Sequence, residues 1–160
     1  MNIKRGGKVI ARGKYFHKNK REGDCQLISI ANAYYYLTGN IISNDLYEKL
    51  ANECGCIAGS CIDINKAFKK FKISEERFLY LVCGNKYLPL EIMVWHKYFG
   101  FHSILAVEYT KKVDAYRVTN FRHVASSTGW IFYEDLMHFT TLNPNQDEPR
   151  WICRTFSLIR

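Results

Sequence analysis

The constraint that most narrows what this chain can fold into is a segregation of periods along its length. Residues up to Phe71 carry apolar side chains at helical spacing, whereas residues from Arg77 onward carry β-branched and aromatic runs. Leu27, Ile30, Tyr34 and Leu37 fall at steps of 3, 4 and 3, which predicts one face of a helix entered at Asp24 and stopped at Gly39. A second helix is predicted from Asn44 through Leu46 and Leu50 toward Gly55. Ile64, Ala67, Phe68 and Phe71 predict a third, with Ser60 and Asp63 as a capping-box-like start. Strands are predicted at Arg77–Val82, Leu90–Tyr98, His102–Tyr109, Ala115–Thr119 and Trp151–Ile159, punctuated by Gly84, Gly100, the Lys111-Lys112 turn and the Asn143-Pro144-Asn145 loop. Helices first and strands after them predict an α+β fold, N-terminal helices packed on a C-terminal antiparallel sheet.

One core suffices for 160 residues, and 48% hydrophobic content with 3 Pro and 10 Gly excludes a disordered or low-complexity chain. There is no apolar window of membrane-spanning length and no signal-like start, so a cytoplasmic protein without a membrane span is expected. The net charge of +8 is concentrated at the start: residues 1–22 hold eight Lys or Arg and one acid, against fifteen bases and fourteen acids in the remainder. The predicted organisation is therefore a basic arm over 1–22 and a single domain over 23–160. Such an arm suits nucleic acid, the headgroups of an anionic membrane or another acidic partner, while the plainer and favoured reading is a solvated leader.

The six cysteines, at 25, 54, 56, 61, 83 and 153, are too few and too irregular for a disulfide scaffold and predict a reducing environment. Cys54, Cys56 and Cys61 are close enough in sequence for a zinc site or a redox pair, but a second Cys-x-x-Cys knuckle is missing, so they read as loop and core cysteines and no metal is expected. Cys83 and Cys153 read as packed strand residues. No cofactor is implied.

Cys25 stands apart because it opens a helix, where the dipole and free N–H groups favour a thiolate. His102 opens a predicted strand and Asn120 closes the next, eighteen residues later. A hairpin would put both at one end of the sheet, where an imidazole can take the thiol proton and an amide can orient the imidazole. His96 and His123 are rival bases, while His17 and His138 read as surface.

Several segments taken in order carry a resemblance. Gly23-Asp-Cys-Gln-Leu-Ile-Ser-Ile-Ala-Asn-Ala-Tyr34 resembles the nucleophile helix of the papain-like cysteine peptidases, and among them the branch that cleaves double-glycine leader peptides from bacteriocins. Gly59–Phe71 resembles that branch's next helix. Leu88–Trp95 and His102–Tyr109 resemble its paired strands. Tyr116-Arg-Val-Thr-Asn120, then Gly129-Trp130 and Tyr133–Leu136, resemble its third triad strand and following helix. Over roughly residues 19 to 140 the chain order is Cys, His, Asn. The resemblance implies a papain-like fold and a thiol-dependent hydrolase acting on an amide, most simply in a peptide or protein substrate. It implies Cys25 as nucleophile, His102 as base and Asn120 as orienter, with Asn19 in the oxyanion-hole position. Transfer to an amine in place of water would leave the same residues. Departures are Asn19 where the family has Gln, Gln26 where the branch has Gly, and Asn120, as in papain itself, where the branch has Asp. They leave open a second class, a weak or inactive papain-like binding module that uses its basic arm. Oligomeric state is not legible.

Overall fold

The computed structural model describes residues 2–5, 8–11, 16–20, 23–57, 60–61, 63–96, 100–121, 128–140 and 151–159. The expected α+β architecture is present among them: four α-helices and a six-stranded antiparallel sheet.

Helix α1, Cys25–Thr38, is the centre of the molecule. Its sequence suggests one apolar face, yet ten of its residues are buried, Ser29 and Asn32 among them, so it is enclosed nearly all round. Gly39 ends it as expected, in a left-handed conformation at φ 79°, with its N–H donating to the Tyr35 carbonyl at 2.8 Å. Helix α2, Asn44–Glu53, also follows its sequence signals, with the Ser43 hydroxyl accepting from the Leu46 N–H. Helix α3, Asn65–Phe71, starts without the capping box. Ser60 lies instead in a two-residue strand, and Asp63 accepts from the Asn65 N–H at 3.2 Å.

The arm contains a hairpin, β1 (Asn2–Arg5) with β2 (Lys8–Ala11), and β2 lies against α1. A second small hairpin joins β3 (Cys56–Ile57) to β4 (Ser60–Cys61). It makes Cys56 and Cys61 direct cross-strand partners with Cα atoms 3.9 Å apart, and they form a disulfide. This corrects the expectation of free loop and core cysteines, because the pairing arises from hairpin register and not from any regular spacing. Cys54 is free and buried.

The main sheet runs β5 (Ile73–Phe78), β10 (Cys153–Leu158), β6 (Leu90–His96), β7 (Gly100–Thr110), β8 (Ala115–Thr119) and β9 (Thr128–Phe132) in spatial order. The last strand of the chain is thus inserted between β5 and β6, a non-local pairing with no local signature. The first strand lies four residues before its expected position. Register against β10, from Leu158 opposite Ile73 to Cys153 opposite Phe78, ends it at Phe78, and Leu79 and Tyr80 turn outward. Leu81 and Val82 are nonetheless buried, their carbonyls accepting from the hydroxyls of Tyr133 and Tyr116. Strand β9 was not among the expected strands; it pairs along the whole of β8. Helix α4, Tyr133–Phe139, follows it. Cys153 is packed as expected, but Cys83 is exposed because β5 ends before it. No helix among the described residues is long and apolar enough to cross a membrane.

Candidate active site

Cys25 occupies the first turn of α1 and is partly buried. Asp24 takes the N-cap position, but with ψ at 7° its side chain makes no cap bond. Its Oδ2 accepts instead from the Lys20 N–H at 2.9 Å and from the Tyr47 hydroxyl at 2.7 Å, tying the approach to the helix onto α2. The expectation of a favoured thiolate is also corrected. Burial pushes the Cys25 thiol from 9.0 up to about 11; the Glu91 and Asp24 carboxylates push the same way, and the main-chain N–H groups of Ser103 and Gln26 oppose them only in part. Strand β7 is joined to the helix that Cys25 opens by the hydroxyls of Ser29 and Ser103, the latter directly after His102.

His102 is 8% exposed, the third residue of a strand that opens at Gly100. Pairing of Leu105 with Thr119 brings it to the same end of the sheet as Asn120, as the hairpin expectation requires. Asn120 follows β8 in a left-handed conformation at φ 58°, which Asn tolerates better than most residues. Its main-chain carbonyl lies 2.5 Å from His102 Nε2. A carbonyl only accepts, so Nε2 carries the proton and, in the neutral ring, Nδ1 holds the basic lone pair. Asn120 therefore orients the imidazole by its backbone and not by the amide that the resemblance implied.

The amide of Asn120 is engaged elsewhere. Its Oδ1 accepts from the Asn19 N–H at 2.9 Å, and its Nδ2 donates to Asn19 Oδ1 at 2.7 Å. Asn19 thus reaches the site from the other side of the chain as a double partner of Asn120. Asn32 of α1 fixes this arrangement. Its Oδ1 accepts from the His17 N–H and its Nδ2 donates to the His17 carbonyl and to Thr119 Oγ1. His17, expected at the surface, is half-buried by this clamp. His138 is exposed as expected. His96 closes β6 opposite Gly100, and His123 lies outside the described residues.

Beneath the site runs a line of polar side chains that composition and periodicity did not single out. The Ser29 and Ser103 hydroxyls are 2.7 Å apart, Ser103 Oγ donates to Glu91 Oε2 at 2.5 Å, Arg154 Nε donates to Glu91 Oε1 at 2.5 Å, and Arg154 Nη1 to Glu75 Oε2 at 2.6 Å. The available signal was a single acid within Leu90-Glu-Ile-Met-Val-Trp95 and a single base within Trp151-Ile-Cys-Arg-Thr-Phe156. A charge in the middle of an apolar strand run needs a buried partner. Among the described residues, no three His, Cys, Asp or Glu side chains are arranged to hold a metal ion.

No family model and no curated protein matches the chain.

Proposed function

We propose that this protein is a thiol-dependent acyl-transfer enzyme of papain-like type, most simply a peptidase, with Cys25 as nucleophile and His102 as base. The observation that carries the reading is a histidine whose Nε2–H is fixed on the Asn120 carbonyl, on a strand that the Ser29–Ser103 hydroxyl contact joins to the helix opened by Cys25. In the resting site the thiol is protonated. As it attacks a substrate carbonyl carbon, its proton passes to Nδ1 of His102 and a C–S bond forms. Collapse of the tetrahedral intermediate breaks the C–N bond, and the departing amine takes that proton. Water then cleaves the thioester with His102 again as base. The Cys25 N–H, at the start of α1, faces no intrahelical partner and suits the developing oxyanion. Asn19, bonded to Asn120, is proposed as the oxyanion's second donor. The activity is tested by exposing a mixed peptide pool to the protein and reading new N-termini by mass spectrometry. Cleavage products lost in both Cys25→Ala and His102→Ala support the reading, and products that persist in Cys25→Ala contradict it.

A second reading, a binding module of the same fold acting through the basic arm, is favoured by the upward push on the thiol and by the engagement of the Asn120 amide with Asn19. It requires salt-dependent retention on nucleic acid that disappears when residues 1–22 are removed.

A further inference from the structure

Glu91 is 0% exposed and Arg154 1% exposed; with Asp24, also 0% exposed, they are the most deeply buried charges among the described residues. Register explains how they meet. Glu91 on β6 lies opposite Arg154 on β10 and opposite Leu105 on β7, so Ser103, two residues back along β7, is its diagonal neighbour on the same face. The direction of the chain of bonds is forced. A carboxylate only accepts, so Ser103 spends its single proton on Glu91 and must accept from Ser29. Ser29 is one helical turn beyond Cys25, and Ser103 is the neighbour of His102. One carboxylate is therefore joined to both elements that carry the proposed chemistry. Fold stability alone does not call for such an arrangement, because a well-packed apolar pair of similar volume serves a core equally well.

We propose that Glu91 is a positioning residue for Cys25: a buried anion, held by Arg154, that is joined through Ser103 to Ser29, one turn along the helix that Cys25 opens. The proposal rests on the thiol-enzyme reading above and assigns Glu91 a task within it. The groups facing Cys25 are Asp24 at the helix start, Glu91 from β6, and the Ser103 amide of β7 beside His102. Burial is the main reason the resting nucleophile is held as a thiol, and the fixed Glu91 carboxylate adds to it by opposing a second negative charge nearby. Attack then depends on a base that removes the proton during the reaction. Replacing Glu91 by Gln preserves shape and an acceptor for Ser103 while removing the charge.

The test is the pH dependence of iodoacetamide alkylation, assigned to individual cysteines by peptide mass, in the wild type, Glu91→Gln, Glu91→Gln/Arg154→Met and His102→Ala. The double variant leaves no uncompensated buried charge and keeps the test open if the single variant does not fold. Cys54 and Cys153, both free and buried, report on folding within the same experiment. The expected result is alkylation of Cys25 about tenfold faster at pH 8 once the charge is removed, equivalent to about one pH unit in the thiol midpoint, with Cys54 and Cys153 still protected. A Cys25 rate within twofold of the wild type while those two remain protected overturns the proposal. So does a rise of all three cysteines together, which is the signature of a purely structural role. The His102→Ala arm keeps the two readings separate. A response to Glu91→Gln without a response to His102→Ala removes the enzyme reading, and the reverse pattern removes the assignment of Glu91.

Discussion

Two polar regions meet at the N-terminus of α1, and they are built on opposite principles. The rim, made of Asn19, His102 and Asn120, uses neutral amides, a main-chain carbonyl and an imidazole at the edge of solvent. The line beneath it, from Ser29 to Glu75, uses full charges in the interior, with the Arg154 guanidinium also lying against the rings of Phe68, Trp151 and Phe156. Exposed Asn19 turns to water if it loses its partner. A buried charge that loses its partner has nowhere to turn. The fold is therefore anchored by the lower region, while the upper one is free to be specialised for chemistry.

The contrast breaks most visibly at Arg154. Arg154→Ala leaves Glu91 buried and unpaired and is expected to remove about 3–5 kcal/mol of stability, read as a fall in the urea midpoint. Glu91→Gln/Arg154→Met is expected to recover most of that loss. Equal losses in the single and double variants would show that the pair is not coupled in the way its geometry requires.

A smaller effect sharpens the account of the rim. Asn120→Ala keeps a β-carbon in the left-handed conformation but removes the short polar side chain that eases it and that bonds Asn19, and is expected to cost about 1 kcal/mol. Asn120→Gly relieves that conformation and preserves the carbonyl that holds His102. His102-dependent alkylation of Cys25 is expected to survive in the glycine variant within a few-fold of the wild type. If Asn120→Gly reduces it as far as His102→Ala does, the amide and not the carbonyl orients the ring.

A further effect concerns alkaline pH. Burial also pushes the Cys153 thiol up to about 11, alongside Cys25. In the unfolded chain both ionise near the ordinary value of 9.0, so between there and about 11 the folded state binds more protons. Stability is expected to be unaffected by these groups below pH 9 and to fall as pH rises toward 11, seen as a decreasing denaturant midpoint. Cys25→Ser and Cys153→Ser should each flatten that slope, and an unchanged slope in both would assign the alkaline loss to other groups.

How much of this was legible in the sequence depends on how local the cause is. Gly39 and Asn44 mark helix ends within a few residues, and α1 and α2 stand where those residues put them. The meeting of His102 with Asn120 follows from a hairpin of adjacent strands, and its same-end expectation holds. Which atom of Asn120 does the work depends on a left-handed backbone turn that no spacing encodes. The insertion of β10 beside β5 and β6, the bond between Cys56 and Cys61, and the meeting of Glu91 with Arg154 all depend on register. Helix-dipole reasoning favoured a thiolate at Cys25; burial and two carboxylates outweigh it, and those carboxylates come close only in the folded chain.

The central claim is that Cys25 and His102 act as nucleophile and base. It is tested most directly by alkylation of Cys25 between pH 5 and 9 in the wild type and in His102→Ala, with exposed Cys83 as the reference thiol in each sample. Base assistance is expected to make Cys25 react about tenfold or more faster at pH 7 in the wild type than in His102→Ala, while Cys83 reacts alike in both. Superimposable Cys25 profiles in the two proteins would contradict the pairing and leave the binding-module reading, in which function lies in the basic arm.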